Sequence, residues 1–189
     1  VNAQTALQTT TVFGCVKKIS EALTIPRKVY NRDSSGNRVE ARAHPLFDII
    51  GSKPNDVNTG IEFFEAIAIH LCLMFNAYVF INRVGGKDGK IVELIPIEPC
   101  RVDPVPRQNE YGIDYRVQLD NRESLMLDSS EVWHLRGPSW DGLLGMDAIK
   151  LAREAIGLSI ATEETHARFH SNGGHPGGVF STDNTLSKE

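Results

Sequence analysis

The sequence has few of the thiols on which disulfide frameworks and zinc sites depend. It contains three cysteines, Cys15, Cys72 and Cys100, at unrelated spacings and without a CxxC pair. An odd number of unpaired cysteines argues against a secreted disulfide scaffold. The pattern predicts reduced, mostly buried thiols in a cytosolic protein.

Long hydrophobic runs are also missing. The longest apolar stretch, Ala66–Ile81, is interrupted by His70 and Asn76, whereas a membrane-spanning helix needs about 20 apolar residues. No charged segment followed by an apolar core suggests a signal peptide. We therefore predict no membrane partner. The start at Val1 and the helix-like ending at Leu186–Glu189 further predict that the chain is a fragment.

Positive charge is not in excess. The 189 residues include 20 lysines and arginines against 24 acidic residues, which gives a net charge of -4. This balance excludes a broad basic surface that grips nucleic acid, although it leaves room for DNA that slides past. With 41% hydrophobic residues, the chain can bury a core in one or two domains.

Signatures of catalysis are absent as well. No GxSxG, P-loop, GxGxxG or HExxH pattern occurs, and the glycines of 85–89 predict a turn. His44 and His134 lie in apolar segments without a nucleophile beside them, so we predict core or capping roles. Basic residues are not interleaved with Trp133 and Trp140, so we predict that these tryptophans are packing residues and do not stack on bases. The sequence thus predicts a protein that is not an enzyme and needs no cofactor.

One histidine pattern supports an alternative. His166 and His170 are four residues apart, with Glu163 one turn earlier and His175 just beyond. Side chains at this spacing share a helix face and could bind zinc in a metal-dependent hydrolase. Exposed histidines near the negative end of a helix dipole explain the same pattern without a metal.

The chain is predicted to be helical at its start. Val12, Val16, Ile19 and Leu23 recur at helical spacing before Pro26. A strand over 27–31, a turn over 33–37 and a returning strand over 39–41 follow. A short helix over 44–50 comes next. Thr59 and Glu62 then have the spacing of a capping box, and they open a helix whose buried stripe is predicted to be Phe63, Ile67, Leu71 and Met74.

The middle of the chain predicts strands. Segments 77–83 and 91–97 should form a hairpin, and shorter strands are predicted over 101–105, 115–119, 124–127 and 132–136. Several prolines crowd this region and favour short or edge strands. The predicted fold class is therefore α+β with an antiparallel sheet.

A long amphipathic helix is predicted over Met146–His170. Its apolar stripe comprises Ile149, Ala152, Ile156 and Ile160. At 1.5 Å per residue, the helix would extend roughly 35 Å, more than a small domain needs. A glycine-rich segment, Asn172–Gly178, follows it.

The order of short motifs along the chain resembles the portal proteins of tailed bacteriophages, specifically the shorter siphophage and prophage family. The motifs are His44-Pro45-Leu46, Pro54-Asn55-Asp56, Asn76-Ala77-Tyr78-Val79, Leu94–Pro99, Glu131–Arg136, Asp141–Gly145, Ala152–Ala155, Phe169–Gly173 and Pro176–Val179. No one motif is specific, but their co-linear order covers nearly the whole chain. Phe75 departs from the pattern, because the family more often has glycine at this position.

The resemblance implies an incomplete portal fold. Residues 1–145 would form a wing of helices and antiparallel strands, 146–170 the first stem helix, and 171–189 the start of a clip. The family implies a homo-oligomeric ring, usually a dodecamer, at one capsid vertex of the virion. Double-stranded DNA passes through such a ring without sequence specificity during packaging and ejection. The implied protein partners are the terminase large subunit, the capsid and head-completion adaptors, with synthesis in the bacterial host cytoplasm, encoded by a prophage.

Two groups of residues are predicted to serve that function. The stem set, which would face the channel, solvent or a neighbouring subunit, is Lys150, Arg153, Glu154, Glu163, Glu164 and Arg168. The clip set, which would dock the terminase, is Asn172, Gly173, Gly174, His175 and Pro176. Another phage head-tail structural or adaptor protein is the second alternative, although an adaptor has no evident use for the long helix.

Overall fold

A computed structural model of the chain describes residues 1–108 and 110–174, together with 178 and 181. The helices are α1 (Ala3–Ala6), α2 (Thr10–Ala22), α3 (Leu46–Gly51), α4 (Gly60–Met74), α5 (Ala148–Leu151) and α6 (Arg153–Ser171). The strands are β1 (Tyr30–Arg32), β2 (Arg38–Glu40), β3 (Asn76–Val84), β4 (Lys90–Ile97), β5 (Val102–Pro106), β6 (Ile113–Gln118), β7 (Ser124–Leu127) and β8 (Val132–Arg136). The predicted α+β class is confirmed.

Within the described residues, the strands form three antiparallel sheets. β1 and β2 form a hairpin, β4-β3-β8 form a central sheet, and β5-β6-β7 form a second three-stranded sheet. The predicted pairing of β3 with β4 is confirmed, with Tyr78 opposite Ile97 and Val84 opposite Lys90. All four shorter predicted strands are present, each within two residues of its predicted start.

Alternation along β3 separates two hydrophobic layers, because successive strand residues point to opposite faces of a sheet. Ala77 and Val79 pack under α3 and α4 with Phe63 and Ile67. On the other face, Tyr78 packs against the second sheet, in a cluster with Val102, Ile113, Tyr115, Val117, Leu127 and Val132. The central sheet therefore lies between helices on one side and the second sheet on the other.

A third cluster joins the helices from both ends of the chain. Ala6, Val16, Leu73, Ile149 and Ile156 are its buried members. They come from α1, α2, α4, α5 and α6 in turn. The N-terminal helices, the middle helix and the C-terminal helix consequently form one packed unit.

The predicted capping box of α4 is confirmed. Thr59 Oγ1 accepts a hydrogen bond from Glu62 N at 3.3 Å, and Glu62 Oε2 accepts one from Thr59 N at 2.8 Å. Within the predicted stripe, Phe63 and Ile67 are buried, while Leu71 and Met74 are partly buried. The sequence pattern thus located both the start and the packing face of this helix.

Only two of the four residues in the predicted apolar stripe of α2 pack against the body. Val12 and Val16 reach the third cluster, but Ile19 and Leu23 are exposed. The buried face runs instead through Ser20, which is 1% exposed. Helix α2 packs against α4, and Ile19, one position before the buried Ser20, faces solvent because adjacent helix positions point in different directions.

The expectation of mostly buried thiols is wrong. Cys15 and Cys100 are exposed, and Cys72 is partly buried. Cys15 lies one residue before the buried Val16 on α2, and a helix rotates by about 100° per residue, so adjacent positions face different ways. The side chains of Cys15 and Cys100 are therefore not part of the core.

Candidate functional site

A polar network, here called the hub, connects the central sheet to the segment that leads into the C-terminal helices. Asn76, the first residue of β3, is its centre. Its Nδ2 donates to the Met74 carbonyl at 2.9 Å and to the Gly145 carbonyl at 2.8 Å. Its Oδ1 accepts from Gly145 N at 2.8 Å and contacts His134 Nε2 at 2.9 Å. One amide thus binds the end of α4, strand β8 and the loop before α5.

These contacts fix the tautomer of His134. Because Asn76 Oδ1 can only accept, His134 Nε2 carries the proton and donates it. The unprotonated Nδ1 then accepts from the Tyr115 hydroxyl at 3.1 Å. Burial lowers the pKa of His134 to about 4, and the nearby Arg136 guanidinium adds to that effect. At neutral pH the ring is therefore neutral, as the hydrogen bonds require.

Aromatic contacts enclose the same histidine. Tyr78 stacks on His134 with ring centres 4.4 Å apart, and Tyr115 meets it edge to face at 5.6 Å. Burial raises the pKa of both tyrosine hydroxyls. His134 thereby joins the central sheet to the second sheet through Tyr115 on β6. The predicted core role of this histidine is confirmed.

Phe75 supplies the turn into the hub in an unusual conformation. It has φ 50° and ψ 17°, in the left-handed region, and it ends α4. Glycine is the usual residue there because a side chain adds strain of about 1–2 kcal/mol, which accounts for the glycine expected from the family pattern. The Phe75 carbonyl accepts from Gly137 N at 2.8 Å, and this bond helps to hold the strained residue.

Two glycines make room for this turn. A Cβ on Gly145 would lie 1.9 Å from the Phe75 carbonyl oxygen, and one on Gly137 would lie 2.9 Å from the Phe75 ring. No real Cβ approaches a backbone oxygen so closely, so alanine at 145 would displace the chain. The loop over 137–145, here called the hub loop, is therefore seated directly on the end of α4.

The single helix predicted over Met146–His170 is interrupted. It begins later, at Ala148, where the Asp147 side chain accepts from Lys150 N at 2.9 Å, and it breaks at Ala152. Ala152 has φ -97° and ψ 9°, and α6 starts after it at Arg153. This break turns Ala152 outward, so the predicted apolar stripe lacks one member. Ile149 and Ile156 are buried and Ile160 is partly buried.

Beyond its base, α6 projects from the body. Ile156 is its one buried residue, and every residue from 161 to 173 is exposed. At 1.5 Å per residue, the exposed part of the helix, 161–171, extends about 16 Å. Among the residues that the structure describes, none lies against this part closely enough to cover it.

The projecting helix carries apolar side chains on two opposite faces. Ile156 and Ile160 face the body, in the third cluster. Leu158 is 70% exposed and Phe169 is 47% exposed. These two are eleven residues apart, close to three full turns. Leu158 is about 200° around the helix from Ile156 and Ile160, and Phe169, nine residues after Ile160, is about 180° from it. The main apolar stripe of α6 therefore packs within the chain, and the opposite face is the one that carries exposed apolar side chains.

The predicted stem set is exposed throughout, at Lys150, Arg153, Glu154, Glu163, Glu164 and Arg168. Arg168 and Glu164 form an ion pair at 2.5 Å between Nη2 and Oε1. Lys150 and Arg153 line a cavity of about 490 Å³ at the helix base, between α4 and the N-terminal segment. The structure therefore places these residues on an accessible surface, and their role stays a prediction.

Helix α6 ends in a Schellman motif. Gly174 N donates to the Phe169 carbonyl at 3.0 Å, and Gly173 N donates to the His170 carbonyl at 3.1 Å. Both glycines have positive φ, 78° and 67°, which glycine adopts at little cost. Of the predicted clip set, Asn172, Gly173 and Gly174 form this exit from the helix. His175 and Pro176 lie outside the described residues.

The structure gives no support to the zinc alternative. His166 and His170 are exposed on α6, and His170 contacts the Phe169 ring edge to face. Within residues 1–108 and 110–174, no three histidine, cysteine or acidic side chains converge as metal ligands. His175, the remaining member of the proposed set, is not among the described residues. The same part of the chain also contains no helix long and apolar enough to cross a membrane.

Comparison with known proteins identifies the family. The family model described as phage portal protein matches residues 10–189. The chain belongs to the phage portal protein family. It is 29% identical over 191 residues to the portal protein of Enterobacteria phage HK97, covering all of this chain and 44% of that protein. This portal chain thus spans less than half the length of that curated relative.

Solved structures show the portal fold. The neck of a native gene transfer agent particle, computed with C12 symmetry, superposes with a TM-score of 0.70 at 19% identity. That match covers 93% of this chain and 46% of the other. The crystal structure of an HK97 family phage portal protein from Corynebacterium diphtheriae gives a TM-score of 0.61 at 18% identity, covering 96% of this chain and 54% of the other.

The sequence did not predict the hub of this portal chain. Asn76 and His134 are 58 residues apart, and Asn76 and Gly145 are 69 apart. The local signals in the sequence were Phe75, where the family pattern has glycine, and the glycines at 137 and 145. These suggest a tight turn, but they do not say which segments meet there.

Proposed function

We propose that this chain forms the wing and the first stem helix of a portal subunit. In the assembled protein, α6 would be a wall element of a homo-oligomeric ring, a dodecamer, through which double-stranded DNA passes. The proposed role is structural and not enzymatic. Family membership together with the uncovered surface of α6 is the observation that carries it.

The two apolar faces of α6 support a position between neighbours in a ring. One face is already packed against the body through Ile156 and Ile160. The other presents Leu158 and Phe169 to solvent. Burying a leucine and a phenylalanine contributes roughly 1.5–3 kcal/mol each, and a neighbouring copy would supply that burial at every interface of a closed ring.

The charges of the stem set support a channel that does not grip DNA. Lys150, Arg153 and Arg168 are basic, and the three glutamates at 154, 163 and 164 balance them. Arg168 is also paired with Glu164 within the chain. Each phosphate that a protein neutralises strengthens binding through counterion release. A channel wall in which basic and acidic side chains balance would therefore bind DNA phosphates weakly and let DNA move in both directions.

The exit from α6 supports a docking role for the segment beyond it. Asn172, Gly173 and Gly174 redirect the chain sharply after a projecting helix. We propose that this segment begins the clip and that His175 and Pro176 belong to the surface that docks the terminase and, later, the head-completion adaptor. The site of action would be the portal vertex of the capsid in the virion.

Electron microscopy of the full-length protein tests the proposal. We expect closed rings of about twelve subunits with a central hole. A protein that stays monomeric at every concentration examined would contradict the assignment. Replacing His175 and Pro176 with alanine should leave rings intact while weakening terminase binding. Loss of the rings themselves would contradict the docking role.

A further inference from the structure

The hub loop presents an aromatic side chain that no residue described by the structure covers. Trp140 is 93% exposed, and the neighbouring Tyr111 is 83% exposed. The prediction that Trp140 is a packing residue is wrong, because its side chain is exposed. Such exposure is unusual, since tryptophan is usually largely buried. The Tyr111 hydroxyl donates to the Asp141 carbonyl at 3.4 Å. Tyr111 thus lies beside the loop that carries Trp140, and these two exposed side chains are here called the knob.

The knob is held rigidly. Asp141 Oδ1 accepts from Leu143 N at 2.8 Å and from Leu144 N at 2.9 Å. Ser139 Oγ accepts from Gly142 N at 2.9 Å. Leu143 and Leu144 pack into the cluster between the two sheets. A loop fixed on both sides loses little conformational freedom on binding, which favours its use in an interface.

An apolar groove lies elsewhere on the same chain. It has a volume of about 460 Å³ and lies between the central and second sheets, with Phe80, Ile95, Val117, Leu119 and Leu125 among its lining residues. Ile95, Leu119 and Leu125 are exposed. Arg101, which is paired with Glu98 and Asp120, also lines it. Apolar walls with a guanidinium at the rim suit an indole, which attracts cations to its face.

The knob and the groove are at opposite ends of the second sheet. Ile113, next to the turn that carries Tyr111, pairs with Pro106 at one end, whereas Val117 pairs with Leu125 at the other. At about 3.3 Å per residue, strand β6 separates the two ends by roughly 15 Å. A chain cannot place its own knob in its own groove. Two unlike surfaces on one chain are what a head-to-tail ring contact requires.

We propose that Trp140 of one subunit inserts into the groove of the next subunit around the ring. The inference rests on the proposed ring. Two aromatic side chains bury on the order of 150–250 Å² each, whereas a stable interface needs roughly 800 Å² per partner. The knob contact therefore adds to the contact made by α6 and does not by itself hold two copies together.

Cysteine cross-linking in the full-length protein tests the contact. In a background with Cys15→Ser and Cys100→Ser, Trp140→Cys combined with Leu119→Cys should give an intersubunit ladder that ends in a covalently closed ring. The matched control pairs Trp140→Cys with Val57→Cys, because Val57 is 87% exposed and lies outside both surfaces. We expect no ladder from the control.

Assembly of substituted proteins gives a second readout. Trp140→Ala should raise the concentration needed for ring formation at least about tenfold, and Trp140→Phe should restore part of the loss, as expected for an anchor residue. Rings of the double-cysteine protein in which positions 140 and 119 do not cross-link would overturn the contact and leave the proposed function standing. Trp140→Ala rings that form normally but no longer bind capsid protein would also overturn it. A full-length protein that forms no rings would contradict the proposed function itself.

Discussion

Asn76→Ala should be among the most destabilising single substitutions in this chain. The change removes both donors and the acceptor of a side chain that contacts Met74, Gly145 and His134 through four hydrogen bonds of 2.8–2.9 Å. The loss falls where α4, β8 and the hub loop meet. The effect should therefore reach beyond the substituted strand.

The magnitude follows from the partners that remain. A hydrogen bond contributes about 1 kcal/mol net, and leaving a buried partner unpaired costs about 1–3 kcal/mol. Because these groups are partly buried, water will satisfy some of them after the substitution. We expect the free energy of unfolding to fall by about 3–4 kcal/mol. Asn82→Ala, on the same strand, removes one hydrogen bond to Glu93 at 2.8 Å and should cost about 1 kcal/mol.

Urea unfolding of the 189-residue chain measures this difference. Hydrogen exchange adds a local readout, because the amide of Gly145 donates to Asn76 Oδ1 and should lose protection in Asn76→Ala but keep it in Asn82→Ala. Equal losses of stability in the two variants would refute the hub as an organising contact. So would an unchanged Gly145 amide.

Three further predictions concern the hub and the projecting helix. Gly145→Ala should lower the free energy of unfolding by about 2–4 kcal/mol, because its Cβ would lie 1.9 Å from the Phe75 carbonyl oxygen. Gly14→Ala on α2, where an added Cβ meets nothing within 4 Å, should raise it by about 0.5–1 kcal/mol. Thermal or urea unfolding measures both changes, and equal effects would contradict the predicted crowding at Gly145. The pKa of His134 is lowered from 6.5 to about 4 in the folded chain, so its contribution to stability is complete above pH 6.5 and is lost as the pH falls toward 4. For this half-buried ring the loss should be about 1–2 kcal/mol, and His134→Gln should show a correspondingly flatter profile over the same interval. Leu158→Glu should block ring formation by the full-length protein while leaving the fold intact by circular dichroism, whereas Val57→Glu, at an exposed position outside the proposed interfaces, should do neither.

Local sequence signals predicted the elements well where one short stretch determined the outcome. Thr59 and Glu62 fixed the start of α4, because a capping box needs only residues three apart. Gly173 and Gly174 likewise ended α6 close to the predicted point. The strands were found because alternation and turn residues lie within each hairpin.

The sequence was less informative where distant segments decide the result. The break at Ala152 has no local sequence signal, because no residue between 148 and 156 is a proline. Ile19 and Trp140 are hydrophobic and were expected to pack, but their exposure depends on which neighbours the fold brings near. The uncovered second face of α6, with Leu158 and Phe169, could be recognised only when the body-facing side was known.

A cryo-electron microscopy map of the assembled full-length protein would locate α6 relative to the symmetry axis of the ring. We expect a closed ring in which copies of α6 stand side by side around the channel, with Leu158 and Phe169 against a neighbouring subunit. A ring with α6 on its outer surface, or a particle without a central channel, would contradict this expectation.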